Sequence, residues 1–429
     1  MDERGGASSI KLESWGGSRI HLGYLQDGRR LIGRVTRVED LREGGRTSFE
    51  FDAIEAALSR GEVEACLRKG KDAQRFALVR IVSTRKRLFD LCGFEIVVGA
   101  WVTLDVTPPA RSSRPIAFVA PLTDDGYITH RRGSLGELIF HGGPDEKHLD
   151  PGEVGASVPA ATQTVSKVRE YSRLPISAHM PEDHLRVVLH VSLSNIASVE
   201  VHDVGQASMA TFWSATGKAA AHFDAGWPIS FNDHTSPPAP PSCTSDLVIL
   251  SHWDWDHLHA YYTAKALQSV IWIVPDQKVG PGAYRIANAL NAKGKLRVYA
   301  EHEPIETDRV LLLTGIRDTP NDGGLGLVLT LENDRRVLLV GDAGYDKFDP
   351  ALSELEPIDG LVATHHGALF EGEVPIPSRS ERPCIVSVGR GNVYRHPRQT
   401  AIDLHKRAGW ALQFTAQYDA RPRGNRFLK

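Results

Sequence analysis

The sequence is poor in cysteine, nearly balanced in charge and without a long apolar run. Its four cysteines, Cys66, Cys92, Cys243 and Cys384, lie far apart and form no C-x-x-C pair. That spacing argues against a disulfide framework and against a thiolate zinc cage, and it fits a reducing compartment. Lys and Arg total 50 against 53 Asp and Glu, a formal charge of -3. No global bias announces a polyanionic or polycationic partner, so any basic surface must be local. No apolar run approaches the roughly 20 residues needed to cross a bilayer. The opening "MDERGGASSIKLESWGG" lacks the basic-then-apolar layout of a secretory signal. The expectation is a cytoplasmic protein with no membrane role.

What is present is an ordinary globular mixture, 41% hydrophobic and 24% charged over 429 residues, enough for two domains. Residues 1–183 read as an α+β domain. They hold β-rich runs such as "EIVVGAWVTLDV" and "PIAFVAPL" and helical spacing in "FDAIEAALSRGEVEACLRK". The stretch "GEVGASVPAATQTVSKVREYSRLPISAHMPEDH" is polar and turn-rich at both ends, with room for a short helix, and serves as the linker. Residues 184–429 alternate strand-like runs ("DLVILS", "VIWIV", "RVLLV", "GLVAT", "CIVSV") with helical ones ("AYYTAKAL", "AYRIANALNA", "YDKFDPALSEL", "RQTAIDLHKRAG"), an α/β pattern. Asn333 and Asp334 are turn residues between two strands, which predicts a hairpin. "HTSPPAPPSCTSD" is a loop, because proline lacks the backbone donor.

Chemistry concentrates in "LVILSHWDWDHLHAYY". His252, Asp254, Asp256 and His257 follow an apolar strand too closely to share one strand face, but a tight loop can turn all four inward. Imidazole nitrogen and carboxylate oxygen are ligands for zinc, manganese or iron, and bound dications would offset the repulsion between the two aspartates. Further polar groups follow other strands: Asp203, Asp342, His365 and His366.

The motif is similar to the H-x-H-x-D-H signature of the metallo-β-lactamase superfamily, in the H-x-D-x-D-H form of ComEC-type proteins. "VHDVGQASMATFW", "LLVGDAG", "VATHHGA" and "SVGRGNVYRHP" resemble that branch's later motifs in order, with Ala368 where serine is usual. The resemblance runs from about Val199 to the C-terminus. It implies a metallo-β-lactamase αββα sandwich preceded by the additional N-terminal α+β domain, and a site for two divalent metal ions, zinc or manganese. His252 and Asp254 would hold one ion, Asp256, His257 and His365 the other, with Asp342 bridging. His366, next to the expected ligand, would contact substrate, and either of the two adjacent histidines could be the ligand. The further histidine usual between the first motif and the G-D motif is missing, His302 lying too far upstream, so the first site would be oxygen-rich.

Such a pair of ions about 3.5–4 Å apart can activate water for in-line attack on a phosphodiester, with Asp256 and Asp342 setting the geometry and His396 donating a proton or hydrogen bond. The resemblance therefore implies a phosphodiesterase or nuclease acting on DNA or another nucleotide. An ester or lactone hydrolase on the same scaffold, and a non-catalytic metal-stabilised module, are the alternatives. Arg68, Lys69, Lys71, Arg75, Arg80, Arg85, Lys86 and Arg87 could track a nucleic-acid backbone or form a solvated face. With no ligand cluster of its own, the N-terminal domain is expected to position substrate or a protein partner rather than perform chemistry.

Overall fold

Alternation decides the first half of the chain. The structure, a computed structural model, describes residues 24–429 apart from 42–44, 110–114, 144–159, 243–244, 302, 316–318, 350 and 356. The opening "MDERGGASSIKLESWGG", the first part of the expected linker and His302 lie outside the described residues. Strands β1 (Arg29–Asp40), β2 (Thr47–Glu55), β3 (Phe76–Ser83), β4 (Trp101–Thr107), β5 (Ile116–Pro121) and β6 (Arg131–Gly142) close into a barrel in the order β1-β2-β3-β5-β6-β4. Along β2, Phe49, Phe51 and Ala53 fill the barrel interior. The residues between them, Glu50, Asp52 and Ile54, point outward, as a period of two requires.

The expected helix across "FDAIEAALSRGEVEACLRK" is shorter than its spacing suggested. Its first five residues belong to β2, and α1 spans Arg60–Arg68. Ser59 fixes the start: its hydroxyl accepts from the Glu62 amide at 3.3 Å while Glu62 accepts from the Ser59 amide at 2.8 Å, a capping box. A second helix, α2 (Arg85–Cys92), follows β3. The basic stretch is thereby divided. Arg68 to Arg75 lie at one end of β3 and Arg85 to Arg87 at the other, roughly 25 Å apart for eight strand residues, with Arg80 buried between them.

One irregularity in β1 matters later. Val35 pairs with Phe51 but Arg37 pairs with Glu50, so Thr36 is an extra residue, a β-bulge. Were Thr36 instead paired in the ladder opposite Glu50, Arg37 would share the inward face of Leu31 and Val35. With the bulge, Arg37 and Glu39 share the outward face of their partners Glu50 and Ser48.

After α3 (Ala160–Glu170) and α4 (Glu182–Leu193) come strands β7 (Ile196–Val201), β8 (Ala210–Ser214), β9 (Ala219–Phe223), β10 (Leu247–Ile249), β11 (Ile271–Pro275) and β12 (Leu296–Tyr299). They form one sheet in the order β12-β11-β10-β9-β8-β7, parallel from β9 to β12. A second sheet runs in chain order: β13 (Ile305–Glu306), β14 (Val310–Thr314), β15 (Leu325–Thr330), β16 (Arg336–Leu339), β17 (Gly360–Val362), β18 (Arg382–Val386) and β19 (Trp410–Phe414). Its β15–β16 pair is the predicted hairpin, with Asp334 at φ 61° in the turn. The last strand, β20 (Arg426–Leu428), returns to pair with β7.

Phe212, Ile249 and Ile273 of the first sheet meet Leu327, Leu339 and Ile385 of the second in one apolar core, which Leu185, Leu189 and Leu193 of α4 extend. Helices α5 (Trp255–Leu258), α6 (Ala260–Thr263) and α7 (Pro281–Ala292) cover the outer face of the first sheet. Helix α8 (Gln399–Arg407) lies against the outer face of the second. This is the αββα layering that the resemblance implies, two facing sheets with helices on both outer faces. "YDKFDPALSEL" makes a single 3-10 turn over Tyr345–Phe348 rather than the expected helix, consistent with the helix-breaking Pro350.

The barrel docks on the first sheet's helical layer. Ile32, Ile54, Phe76 and Trp101 share a cluster with Trp255, Tyr284 and Ile286. Asp52 accepts from the Gly282 amide at 2.8 Å and the Ala283 amide at 3.0 Å, at the N-terminus of α7, where a carboxylate complements the helix dipole. No helix among the described residues is long and apolar enough to cross a membrane.

Candidate metal centre

Parallel strands β9, β10, β16, β17 and β18 end at the same edge of the sandwich, and each delivers a polar residue just beyond its carboxyl end: Asp224, His252, Asp342, His365 with His366, and the loop to His396. Open α/β sheets assemble sites at such edges. The backbone is bent to suit. Of seven non-glycine residues with positive φ among the described residues, four are here: Asp224 (60°), His365 (49°), His366 (54°) and Arg395 (65°). Strain of this kind persists where the surroundings over-determine it. Gly341, at φ 62°, lets "VGD" pass β10 closely, since a Cβ there would lie 2.5 Å from the Cβ of Ser251.

All residues expected to act gather here. His252, Asp254, Asp256, His257, Asp342, His366 and His396 are buried and His365 nearly so. The first turn of α5 carries Asp256 and His257 inward, as a tight turn after the strand requires. His252, His257 and Asp342 form one set whose ligand-type atoms all lie within 4.8 Å of one another; Asp256, His257 and His366 form a second, and Glu39, His365 and His396 a third. Between the adjacent histidines, His366 is the one grouped with Asp256 and His257, its Nε2 lying 3.4 Å from Asp256 Oδ2. His365 Nε2 lies 3.5 Å from Asp342 Oδ2 and turns towards Glu39 and His396.

The imidazoles are aimed by their other nitrogen. Nδ1 of His257 bonds Asp224 at 2.8 Å, Nδ1 of His366 bonds the Ser387 carbonyl at 2.8 Å, and Nδ1 of His252 lies 3.0 Å from Ser251 Oγ. Each arrangement leaves an Nε2 lone pair facing the centre. Among the described residues, Nε2 of His252, His365 and His366 and Oδ2 of Asp342 are buried without a hydrogen-bond partner, and His257 Nε2 lies 3.0 Å from Asp342 Oδ1. Burial opposes ionisation of Asp342, but the neighbouring His257, His365 and His366 hold its carboxyl well below the usual range.

Three participants were not legible in the sequence: Asp224, Arg37 and Glu39. Asp224 also accepts from the Ser251 amide at 2.7 Å; an aspartate directly after the "AAAHF" strand was its one available signal. Arg37 reaches in from the barrel. Its guanidinium donates to Asp256 at 2.6 and 2.9 Å and to Asp254 at 3.0 and 3.3 Å, and its centre lies 4.8 Å from the Tyr394 ring centroid. Burial alone would raise Asp254 and Asp256; the guanidinium holds both below the usual carboxylate range. Glu39 accepts from His396 Nε2 at 3.2 Å and from Arg398 at 3.1 Å. Burial opposes its ionisation too, yet the hydrogen bond and charge of His396 and the bond from Arg398 bring it to about 2. The barrel thus lends Arg37 and Glu39 to the site, side chains that the sequence did not single out.

His396 is held firmly rather than lying exposed at a helix entrance. Asn392 Oδ1 accepts from the amides of Tyr394 and His396, each at 3.1 Å, while its Nδ2 donates to the carbonyls of Gly389 and His396, each at 2.7 Å. A cleft of about 740 Å³ opens between barrel and sandwich, bordered by Glu39, Thr47, Arg85, Ala368 and Arg398.

No protein-family model matches the sequence, and no curated protein is significantly similar to it. Among solved structures, the zinc-bound PqqB of Methylobacterium extorquens is similar at 12% identity and TM-score 0.32, over 54% of this chain and 99% of that one. A protein of Veillonella parvula described as a "possible metal-dependent hydrolase" matches at 13% identity and TM-score 0.30, over 51% and 97%. MEM-A1, a subclass B3 metallo-β-lactamase from a soil metagenome library, matches at 13% and 0.27, over 41% and 81%. Scores this low leave the chemistry to the side chains themselves.

Proposed function

We propose that this protein is a divalent-metal-dependent hydrolase of phosphodiesters. One observation carries the reading: four imidazole nitrogens and two carboxylate oxygens converge, buried, and apart from the 3.0 Å contact of His257 Nε2 with Asp342 Oδ1 they have no hydrogen-bond partners. Each such atom costs about 1–3 kcal/mol if left bare, which a bound cation offsets. His252, His257 and Asp342 would hold it, with His366 Nε2, 3.8 Å from Asp342 Oδ1, as a further donor. Imidazoles with one carboxylate suit zinc or manganese. Bound there, a divalent ion lowers the pKa of water towards neutrality and draws charge from a phosphoryl oxygen.

The chain's own groups supply the rest. Asp224 and the Ser387 carbonyl fix the tautomers of His257 and His366. With Nε2–H committed to Glu39, His396 keeps a lone pair on Nδ1, an atom buried without a partner. That nitrogen can take a proton and return it to the leaving oxygen. The cleft beside Glu39 is of a size that holds a small ligand, and at its border Arg85 pairs with Asp40 and Arg398 with Glu39. The division of the basic stretch between two ends of β3 favours a nucleotide-sized diester over a long duplex. The H-x-D-x-D-H spelling shared with ComEC-type proteins supports the same substrate class.

Bis(4-nitrophenyl) phosphate and 4-nitrophenyl acetate, each assayed with manganese, zinc or magnesium, test the reading. The diester should be the better substrate, chelation should stop its hydrolysis, and returning the metal should restore it. Undiminished rates in chelator would remove the metal from the reaction. Preference for the acetate would move the protein to the ester hydrolases.

A further inference from the structure

We infer that Arg37 stands in for one cation of a two-ion centre, so that the site takes a single divalent ion per chain. The inference rests on the metal-centre reading above and concerns how many ions that centre holds. Asp254 and Asp256, which the sequence resemblance gives to metal, both have their inward oxygens engaged by the guanidinium: Asp256 through a two-pronged contact at 2.6 and 2.9 Å, and Asp254 Oδ2 at 3.0 and 3.3 Å.

Charge leads to the same count. Asp254, Asp256 and Asp342 are three buried carboxylates, and Arg37 Nη2 is 3.8 Å from Asp342 as well. An arginine cannot be discharged in a protein, so a second dication beside Asp254 and Asp256 would have to sit against a fixed positive charge, while Asp342 and the His257-bound Asp224 leave negative charge for one ion on the other side. Donor supply also limits the site. The two trios built on His252 and on His366 both need His257, whose Nδ1 is already committed, so one Nε2 would have to serve two ions; in the third trio Glu39 already accepts from His396 and Arg398.

The barrel is shaped to deliver this group. The bulge at Thr36 turns Arg37 out of the barrel wall, and bulges often re-aim side chains beside active sites. Tyr394 backs the guanidinium with its ring and hydrogen-bonds Glu50, the strand partner of Arg37, at 2.8 Å. The result is a fixed planar cation matched to two carboxylates, a task for which a guanidinium suits better than an ammonium.

Metal content of the full chain, measured by elemental analysis after equilibration with excess zinc or manganese and removal of free ion, tests the inference. The wild type should hold one ion. Arg37→Gln, nearly isosteric, and Arg37→Ala should each hold two, because the vacated carboxylates gain a dication. Arg37→Lys, which keeps the charge, should stay at one. Two ions in the wild type, or one ion in folded Arg37→Gln as judged by its circular dichroism, would overturn the inference while leaving the metal centre intact. No ion in the wild type would overturn the centre itself and the inference with it.

Discussion

On the barrel side of the junction, Arg37, Glu50 and Asp52 are buried with their charges answered by named partners. On the sandwich side, His252, His257, His366 and Asp342 are equally buried, yet apart from the contact of His257 with Asp342 their inward atoms have no hydrogen bond. Both regions tolerate buried polarity, but in different ways. Arg37, Glu50 and Asp52 are satisfied within the protein and serve to dock and neutralise. The sandwich's groups are oriented from behind and left open in front, as a set of ligands must be. Burial alone does not mark a site; several ligand-type atoms left open within reach of one another do.

Variants should separate the two sides. Asp342→Asn should have the largest effect, reducing diester hydrolysis to background while circular dichroism stays native. Retained turnover would return Asp342 to an ordinary buried carboxylate. His396→Ala should lower turnover roughly 10²–10³-fold, the loss expected for one positioned proton-transfer group, with metal content unchanged. Release of metal in that variant would make His396 a ligand. Asp224→Asn should weaken metal affinity by roughly 10–100-fold, read by competition with a chromogenic chelator. An unchanged affinity would show that His257 does not need its carboxylate partner.

The smallest effect on activity should come from Asp52, which touches the α7 amides and not the centre. Burial raises its carboxyl from 3.8 to about 7 against the pull of the two amide donors. Folded protein then holds that proton more tightly than unfolded chain, so its contribution to stability is full below about pH 4 and is lost as pH rises towards about 7. The thermal midpoint of the wild type should therefore decline over that window relative to Asp52→Asn, with metal content the same in both. Parallel pH curves would show that the amide donors outweigh burial.

Much of the sandwich was legible because its signals are local. "DLVILS", "RVLLV" and "GLVAT" are short apolar runs followed by ligand-type residues, and the strands and clusters fall where those runs end. The choice between His365 and His366 was not legible, since it depends on two left-handed backbone positions and a carbonyl 21 residues away. Arg37 was beyond reach for another reason. It meets Asp254 across 217 residues of chain, and "RVTRVED" reads as an ordinary strand. Nor could the basic stretch be resolved without knowing that Arg80 would turn into the junction with Glu50.

The bulge in β1 makes the barrel's part in this site a matter of counting rather than of chemistry. In the flanking register, odd-numbered positions up to Val35 face the barrel interior; beyond Thr36, even-numbered ones do. Loss of Thr36 would remove the extra residue and keep the arginine opposite Glu50 on the outward face, whereas drawing Thr36 into the ladder opposite Glu50 would place a guanidinium among Phe49, Phe51 and Val79 and leave two aspartates without their counter-charge. A lineage could therefore gain or lose this arginine's role by shifting the register of a strand by one residue, a step that tables of amino-acid exchange do not register.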